Sequence, residues 1–133
     1  MNTLFADTAY YLALLLPNDT AHGKAIEIAL SLDARMVTTA WVLTELANSL
    51  RLPDHRNHFV RFEKALRGDP SVVIIDPSRE LYDRGVALYG DRADKEWSLT
   101  DCISFIVMNE RGITEALTTD RHFRQAGFQA MML

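Results

Sequence analysis

Short runs of β-branched and apolar residues alternate along the chain with longer stretches of helical periodicity. The predicted strands are residues 3–7, 35–39, 71–76, 115–119 and 128–133, and the predicted helices include residues 19–33, 40–51, 54–67, 78–89 and 98–111. Alternating strands and helices are typical of an α/β domain whose mainly parallel central sheet is covered by helices on both faces. In such sheets, sites form outside the carboxyl ends of the strands, so functional residues are expected there.

The bulk properties of the chain limit its class. Its 133 residues suit one compact domain, so a single domain over residues 1–133 is expected. Apolar residues make up 48% of the chain, and the one cysteine, Cys102, cannot form an internal disulfide, which favours a reducing compartment. No Lys or Arg precedes Lys24, and the apolar stretch near the N-terminus is too short to span a bilayer. These features predict a cytoplasmic protein without a membrane partner.

Four acidic residues stand at or near predicted strand ends, on distant segments of the chain. They are Asp7 at the end of the first strand, Glu45 early in the helix after the second strand, Asp101 at the start of an apolar helix, and Asp120 after the strand at 115–119. Because parallel strands end at one edge of a sheet, these acids are expected to converge. Clustered carboxylates repel one another and resist burial, and a divalent cation supplies the missing positive charge. Oxygen-only ligands suit Mg²⁺ or Mn²⁺.

Each acid also has a simpler interpretation. Asp7 and Asp120 could cap the helices that follow them, Asp101 could form a capping box with Ser98, and Glu45 could be an exposed helix residue. The apolar residues beside Asp101 and Glu45 favour the pocket interpretation, since acids next to such runs are poorly solvated.

The charge of the chain agrees with a local rather than a general phosphate-binding surface. A net charge of −4 and a pI near 5.5 exclude a broadly basic nucleic-acid-binding protein. A metal ion held by the acids would attract phosphate, lower the pKa of a bound water and neutralise charge in a phosphodiester transition state, while a nearby carboxylate accepts a proton. The residues therefore predict metal-dependent phosphodiester cleavage.

The segments that carry the acids resemble the four motifs of the PIN domain family, in the same order. They are "LFADTAYYLALL", "TTAWVLTELANSL", "WSLTDCISFIVM" and "ALTTDRHFRQAGF". The similarity covers essentially the whole chain, whose compact size resembles the VapC toxins of type II toxin–antitoxin systems. The resemblance implies a three-layer α/β/α PIN-like fold with a mainly parallel central sheet. It also implies a metal-dependent endoribonuclease that cleaves RNA phosphodiester bonds with Mg²⁺ or Mn²⁺.

The resemblance further implies roles and partners. It matches Asp7 and Asp101 to direct metal ligands, Glu45 and Asp120 to acids that act through water, and Thr118 to a residue that positions a water. VapC-like proteins form homodimers and are inhibited by a cognate antitoxin protein, so both partners are expected beside RNA. The fourth acidic position often carries Asn in the toxins, whereas this chain has Asp120. A PIN-fold RNA-processing nuclease outside toxin–antitoxin systems, or a non-catalytic PIN-fold interaction module, therefore remains an alternative.

Other features leave their alternatives open. A haloacid-dehalogenase-like phosphatase would need a second Asp two residues after Asp7, and that position holds Ala9. The basic residues of segment 54–67 could form an exposed polar face or contact an RNA backbone. His122 and the arginines beside it could contact phosphate or simply lie on the surface of the last helix.

Overall fold

Five parallel strands form one sheet in the computed structural model, which describes residues 2–133. They are β1 (Asn2–Ala6), β2 (Ala34–Thr39), β3 (Val72–Ile75), β4 (Glu115–Leu117) and β5 (Gln129–Ala130). Their order across the sheet is β3-β2-β1-β4-β5, and every neighbouring pair is parallel. The predicted parallel sheet is confirmed. The last predicted strand, residues 128–133, is shorter than expected because the chain turns where the Leu133 N–H donates to the Ala130 carbonyl (3.3 Å).

Seven helices connect the strands within the described range. They are α1 (Thr8–Leu15), α2 (His22–Ser31), α3 (Ala40–Ser49), α4 (Pro53–Gly68), α5 (Arg79–Asp91), α6 (Leu99–Arg111) and α7 (Arg121–Gln125). Hydroxyl groups of Thr39, Ser78 and Ser98 cap α3, α5 and α6 by accepting from backbone N–H groups. Gly112 ends α6 in the left-handed conformation (φ 68°), which glycine adopts without a steric cost. None of these helices is both long and apolar enough to cross a bilayer.

The strand order determines which face each helix covers. Right-handed crossovers put α1 to α4 on one face, because the chain moves from β1 through β2 to β3. The chain then returns to the other side of β1, so α5 to α7 cover the opposite face. Most helix contacts follow this division, since α1 packs on α2 and α3, and α6 packs on α5 and α7, while α3 also contacts α6. The order in which the chain adds strands to the sheet reverses between β1 and β4. In sheets of this kind a crevice is expected outside the carboxyl ends of these two strands.

An aromatic cluster in the core joins the elements on either side of that crevice. The ring of Phe105 in α6 meets Trp97 and Phe123 edge-on, each at a centroid distance of 5.0 Å. Phe123 in α7 also lies 6.2 Å from Phe5 in β1. Phe5, Phe105 and Phe123 are almost fully buried, and each such pair contributes about 0.5–1.5 kcal/mol beyond its buried area. The cluster fixes the starts of α6 and α7 relative to the end of β1.

Gly85 is required where α5 packs on α6. A Cβ atom at this buried position would overlap Cγ1 of Ile103 and lie 3.3 Å from its Cδ1. Overpacking of this kind costs about 1–3 kcal/mol, which exceeds the gain of about 1 kcal/mol that alanine brings to a helix. We expect Gly85→Ala to lower the free energy of unfolding by up to about 2 kcal/mol in urea denaturation.

Gly90→Ala is the matched control on the same helix. Gly90 is exposed, and an added Cβ would meet nothing within 4 Å. Its substitution should leave the free energy of unfolding unchanged or raise it by up to about 1 kcal/mol. Equal stability of the two variants would contradict the close packing of α5 on α6.

Candidate active site

Asp7 follows β1 at the crevice and is only 4% exposed. Its backbone N–H donates to the Leu117 carbonyl at the end of β4 (3.2 Å), so the pairing of the two strands fixes its position. The hydroxyl of the fully buried Thr118 donates to Asp7 Oδ2 over 2.7 Å. Asp7 stands at the start of α1 but makes no side-chain capping hydrogen bond. Asp7 therefore occupies the N-cap position of α1 without capping the helix through its side chain.

Asp101 opens α6 and is 6% exposed. It forms a capping box with Ser98, in which the Asp101 N–H donates to Ser98 Oγ (3.0 Å) and the Ser98 N–H donates to Asp101 Oδ2 (3.2 Å). The same Oδ2 atom lies 3.1 Å from Nδ1 of His122. Asp101 thus caps its helix and also faces the crevice, so both interpretations of this residue hold together.

Asp120 precedes α7 and caps it, since its Oδ1 accepts from the His122 N–H over 2.9 Å. Its own N–H donates to Thr118 Oγ1 (3.0 Å), and its side chain is 31% exposed. Thr118 therefore connects the backbone of Asp120 to the carboxylate of Asp7. This bridge holds the acids after β1 and β4 in a fixed relation.

Glu45 lies in the middle of α3 and is partly buried. Its negative charge raises the pKa of Asp7, as does the charge of Asp101, while the charge of Asp120 raises the pKa of Asp101. The four predicted acids therefore lie close enough to influence one another electrostatically, and Asp101 and Asp120 lie in one group with His122. The catalytic and metal-binding roles assigned to them stay predictions.

His122 has a place that the sequence did not indicate. Its Nδ1 atom lies 3.1 Å from Asp101 Oδ2 and 3.3 Å from Asp120 Oδ1. Ligand atoms of these three residues all lie within 4.8 Å of one another. The sequence left two alternatives for His122, a surface position or a contact with phosphate. In the structure its ring instead contacts Asp101 and Asp120. The available signal was the Asp-x-His spacing, because an aspartate that caps a helix accepts from the N–H two residues later.

Burial makes the charges of the crevice costly. Burial raises the pKa of Asp7 from 3.8 to about 7, and the charges of Asp101 and Glu45 add to the effect, while the hydrogen bond from Thr118 opposes it. Burial also raises the pKa of Asp101, followed by the charge of Asp120, and the Ser98 N–H and His122 oppose this shift. A cation in the crevice would therefore favour the charged forms of both carboxylates.

The donor set fits a divalent metal ion. Carboxylate oxygens predominate, which hard ions such as Mg²⁺ and Mn²⁺ prefer, and they belong to rigid elements at one edge of the sheet. A metal ion in such a setting polarises a phosphate oxygen and lowers the pKa of a bound water. The arrangement suits hydrolysis of a phosphodiester bond.

Comparisons with known proteins agree with this assignment. The family model described as "PIN domain" matches residues 4–129. The 23S rRNA-specific endonuclease VapC20 of Mycobacterium tuberculosis, known in two strains, is 29% identical to the chain over 126 residues, which are 94% of this chain and 95% of the relative. The crystal structure of M. tuberculosis VapC20, described as a sarcin-ricin loop cleaving toxin, matches with a TM-score of 0.85 and 28% identity. That match covers 94% of this chain and 95% of VapC20, and it confirms the predicted three-layer α/β/α fold.

The raised pKa of Asp7 predicts a stability that depends on pH in the absence of metal. Between pH 3.8 and about 7 the folded chain keeps a proton on Asp7 that the unfolded chain has lost, so the free energy of unfolding falls as pH rises through this window. The Asp7→Asn variant has no carboxyl group at this position, so its free energy of unfolding should not fall in this way. We expect the variant to exceed the wild type by roughly 2–4 kcal/mol at pH 8, and by much less near pH 4. Urea denaturation in EDTA measures the difference.

Asp33→Asn is the matched control. Asp33 is exposed and precedes β2, at the opposite edge of the sheet from the crevice. Its substitution should change the free energy of unfolding by no more than about 0.5 kcal/mol at either pH. A destabilised Asp7→Asn variant at pH 8 would contradict the strained state of the metal-free crevice.

Proposed function

Because the chain belongs to the PIN domain family, we propose that it is a metal-dependent endoribonuclease and the toxin of a type II toxin–antitoxin pair. The observation that carries the proposal is the buried carboxylate of Asp7, whose pKa rises to about 7 among other acids at the sheet's switch point. Strongly shifted carboxylates in a crevice are typical of catalytic and metal sites. Similarity to VapC20 over nearly the whole of both chains supports the same activity.

In this proposal Mg²⁺ or Mn²⁺ is held directly by Asp7 and Asp101, whereas Glu45 and Asp120 act through water. When bound, the ion supplies a Lewis acid for a phosphate oxygen and a water of lowered pKa. The hydroxyl of Thr118 donates to Oδ2 of Asp7 and so restricts the rotation of that carboxylate. The Ser98 N–H donates to Oδ2 of Asp101, which restricts the second carboxylate in the same way.

Asp120 is the acid that is best placed for proton transfer. It is the more exposed of the two aspartates that contact His122, so water and substrate can reach it. A carboxylate near a bound water can orient that water or accept its proton during attack on phosphorus. The single ribose-phosphate chain of RNA fits a crevice that opens at one edge of the sheet.

We propose 23S rRNA as the target class. The relative VapC20 is named for specificity toward 23S rRNA, and its structure is described as that of a toxin that cleaves the sarcin-ricin loop. A cognate antitoxin, a homodimer and a cytoplasmic location complete the proposal, as they are usual for VapC-like proteins. A PIN-fold nuclease outside toxin–antitoxin systems would show the same cleavage chemistry without growth arrest, and a non-catalytic module would show neither.

Substitution of the direct ligands tests the chemistry. Asp7→Asn and Asp101→Asn each remove a charge that the metal requires, so we expect RNA cleavage to fall at least about 100-fold while circular dichroism stays native. The assay follows a labelled RNA with Mn²⁺ in excess. EDTA should abolish the wild-type activity, and added Mg²⁺ or Mn²⁺ should restore it.

The Asp33→Asn variant again serves as the control, because it changes the same net charge outside the crevice. It should cleave RNA at the wild-type rate. Undiminished cleavage by Asp7→Asn or Asp101→Asn would refute the assignment of the catalytic carboxylates.

The target is tested on intact ribosomes. We expect one cut in 23S rRNA at the sarcin-ricin loop, detected by primer extension, and arrest of growth when the wild-type chain is expressed alone. Asp101→Asn should give neither effect. Cleavage of transfer RNA with intact 23S rRNA would leave the nuclease assignment standing and exclude this target.

A further inference from the structure

We propose that His122 is itself a metal ligand, and that Asp101, Asp120 and His122 form a mixed oxygen–nitrogen site that takes Mn²⁺ in preference to Mg²⁺. The inference deepens the proposed function, on which it rests, by adding a nitrogen ligand to the carboxylates and naming the ion that this ligand selects. In this site Asp120 contacts the ion directly, instead of through water. Among the residues that the structure describes, these three form the group whose ligand atoms lie within 4.8 Å of one another.

The distances between the donor atoms fit one coordination sphere. His122 Nδ1 lies 3.1 Å from Asp101 Oδ2 and 3.3 Å from Asp120 Oδ1. Two neighbouring ligands of an octahedral ion are about 3.0 Å apart when each bond is about 2.1 Å long. The two distances from the imidazole nitrogen to the carboxylate oxygens are therefore within a few tenths of an ångström of those between neighbouring ligands of one ion.

The three side chains are held in place before any ion binds. Asp101 Oδ2 accepts from the Ser98 N–H, and Asp120 Oδ1 accepts from the His122 N–H, so the helix starts orient both carboxylates. The neighbour of His122 in α7, Phe123, is fully buried and packs edge-on against Phe105 of α6. The histidine side chain is 21% exposed, which leaves a path for an ion from solvent.

The nitrogen donor determines the choice of ion. Mg²⁺ demands oxygen ligands in near-ideal octahedral geometry and keeps most of its waters, whereas Mn²⁺ and other first-row ions bind imidazole readily. The deeper part of the crevice, around Asp7 and Glu45, offers carboxylate oxygens and remains suitable for Mg²⁺. A site that includes His122 therefore prefers Mn²⁺ to Mg²⁺, although carboxylates supply its other ligands.

Pulsed electron paramagnetic resonance of Mn²⁺ bound to the full chain tests the ligand directly. A nitrogen bound to Mn²⁺ produces spin-echo modulation, which we expect in the wild type and which ¹⁵N-histidine labelling should alter. His122→Asn keeps an amide that can donate to Asp101, so the fold should persist, but the modulation should vanish. The Kd for Mn²⁺ from calorimetry should rise at least about tenfold, and the Kd for Mg²⁺ should change far less.

His58→Asn is the matched control, since His58 is exposed on α4 and its ring stacks on His55. This variant should keep the modulation and the wild-type Kd for Mn²⁺. If His122→Asn does not fold, His122→Gln replaces it, and the labelled wild type alone still shows whether a histidine binds the ion.

The outcomes separate this inference from the proposed function. Absence of nitrogen modulation in the wild type, or its persistence in a folded His122 variant, overturns the ligand role of His122. If Asp7→Asn still abolishes RNA cleavage in that case, the nuclease assignment stands on its carboxylates. If the wild type neither binds Mn²⁺ nor cleaves RNA, the proposed function fails together with the inference.

Discussion

The buried hydrogen bond from Thr118 to Asp7 is the contact on which the site depends. It joins the first residues after two adjacent strands, at the point where the order of the sheet reverses. The same hydroxyl oxygen accepts from the Asp120 N–H, so one threonine orients a carboxylate on one strand end and the backbone on the other. Without this bridge, the Asp7 carboxylate and the Asp120 backbone would lose their common partner, while the backbone pairing of β1 and β4 would remain.

The packing beneath the crevice explains why the protein can tolerate this repulsion. Phe105 and Phe123 meet edge-on directly below the starts of α6 and α7, and both rings are buried. Folding of the apolar core therefore brings Asp101 and His122 together whether or not a cation is present. The free energy of the core offsets the cost of the clustered charge, which then remains available for binding a metal ion.

Periodicity and strand-end rules predicted the parallel sheet and the acids of the crevice, because both depend on local patterns. These local rules could not predict contacts between residues that are far apart in the chain. Nothing in the pattern of residues 128–133 shows that the chain turns after Ala130, and the predicted helix 19–33 begins only at His22 because the Asp19 carboxylate accepts from a backbone N–H two residues on. The contact of His122 with two acids also escaped prediction, since it requires α6 and α7 to start side by side.

For Asp101 and Asp120, a capping hydrogen bond at a helix start does not exclude a place in the candidate site. Asp101 and Asp120 each accept from a backbone N–H at a helix start, and for Asp101 this contact offsets part of the rise in pKa that burial causes. Asp7 makes no capping hydrogen bond, and burial raises its pKa to about 7 despite the contact with Thr118. The helix starts therefore stabilise the outer acids, whereas the charge of Asp7 is stabilised mainly when a cation enters. In the proposed function, Asp7 is thus the residue through which metal binding would be coupled most strongly to the stability of the fold.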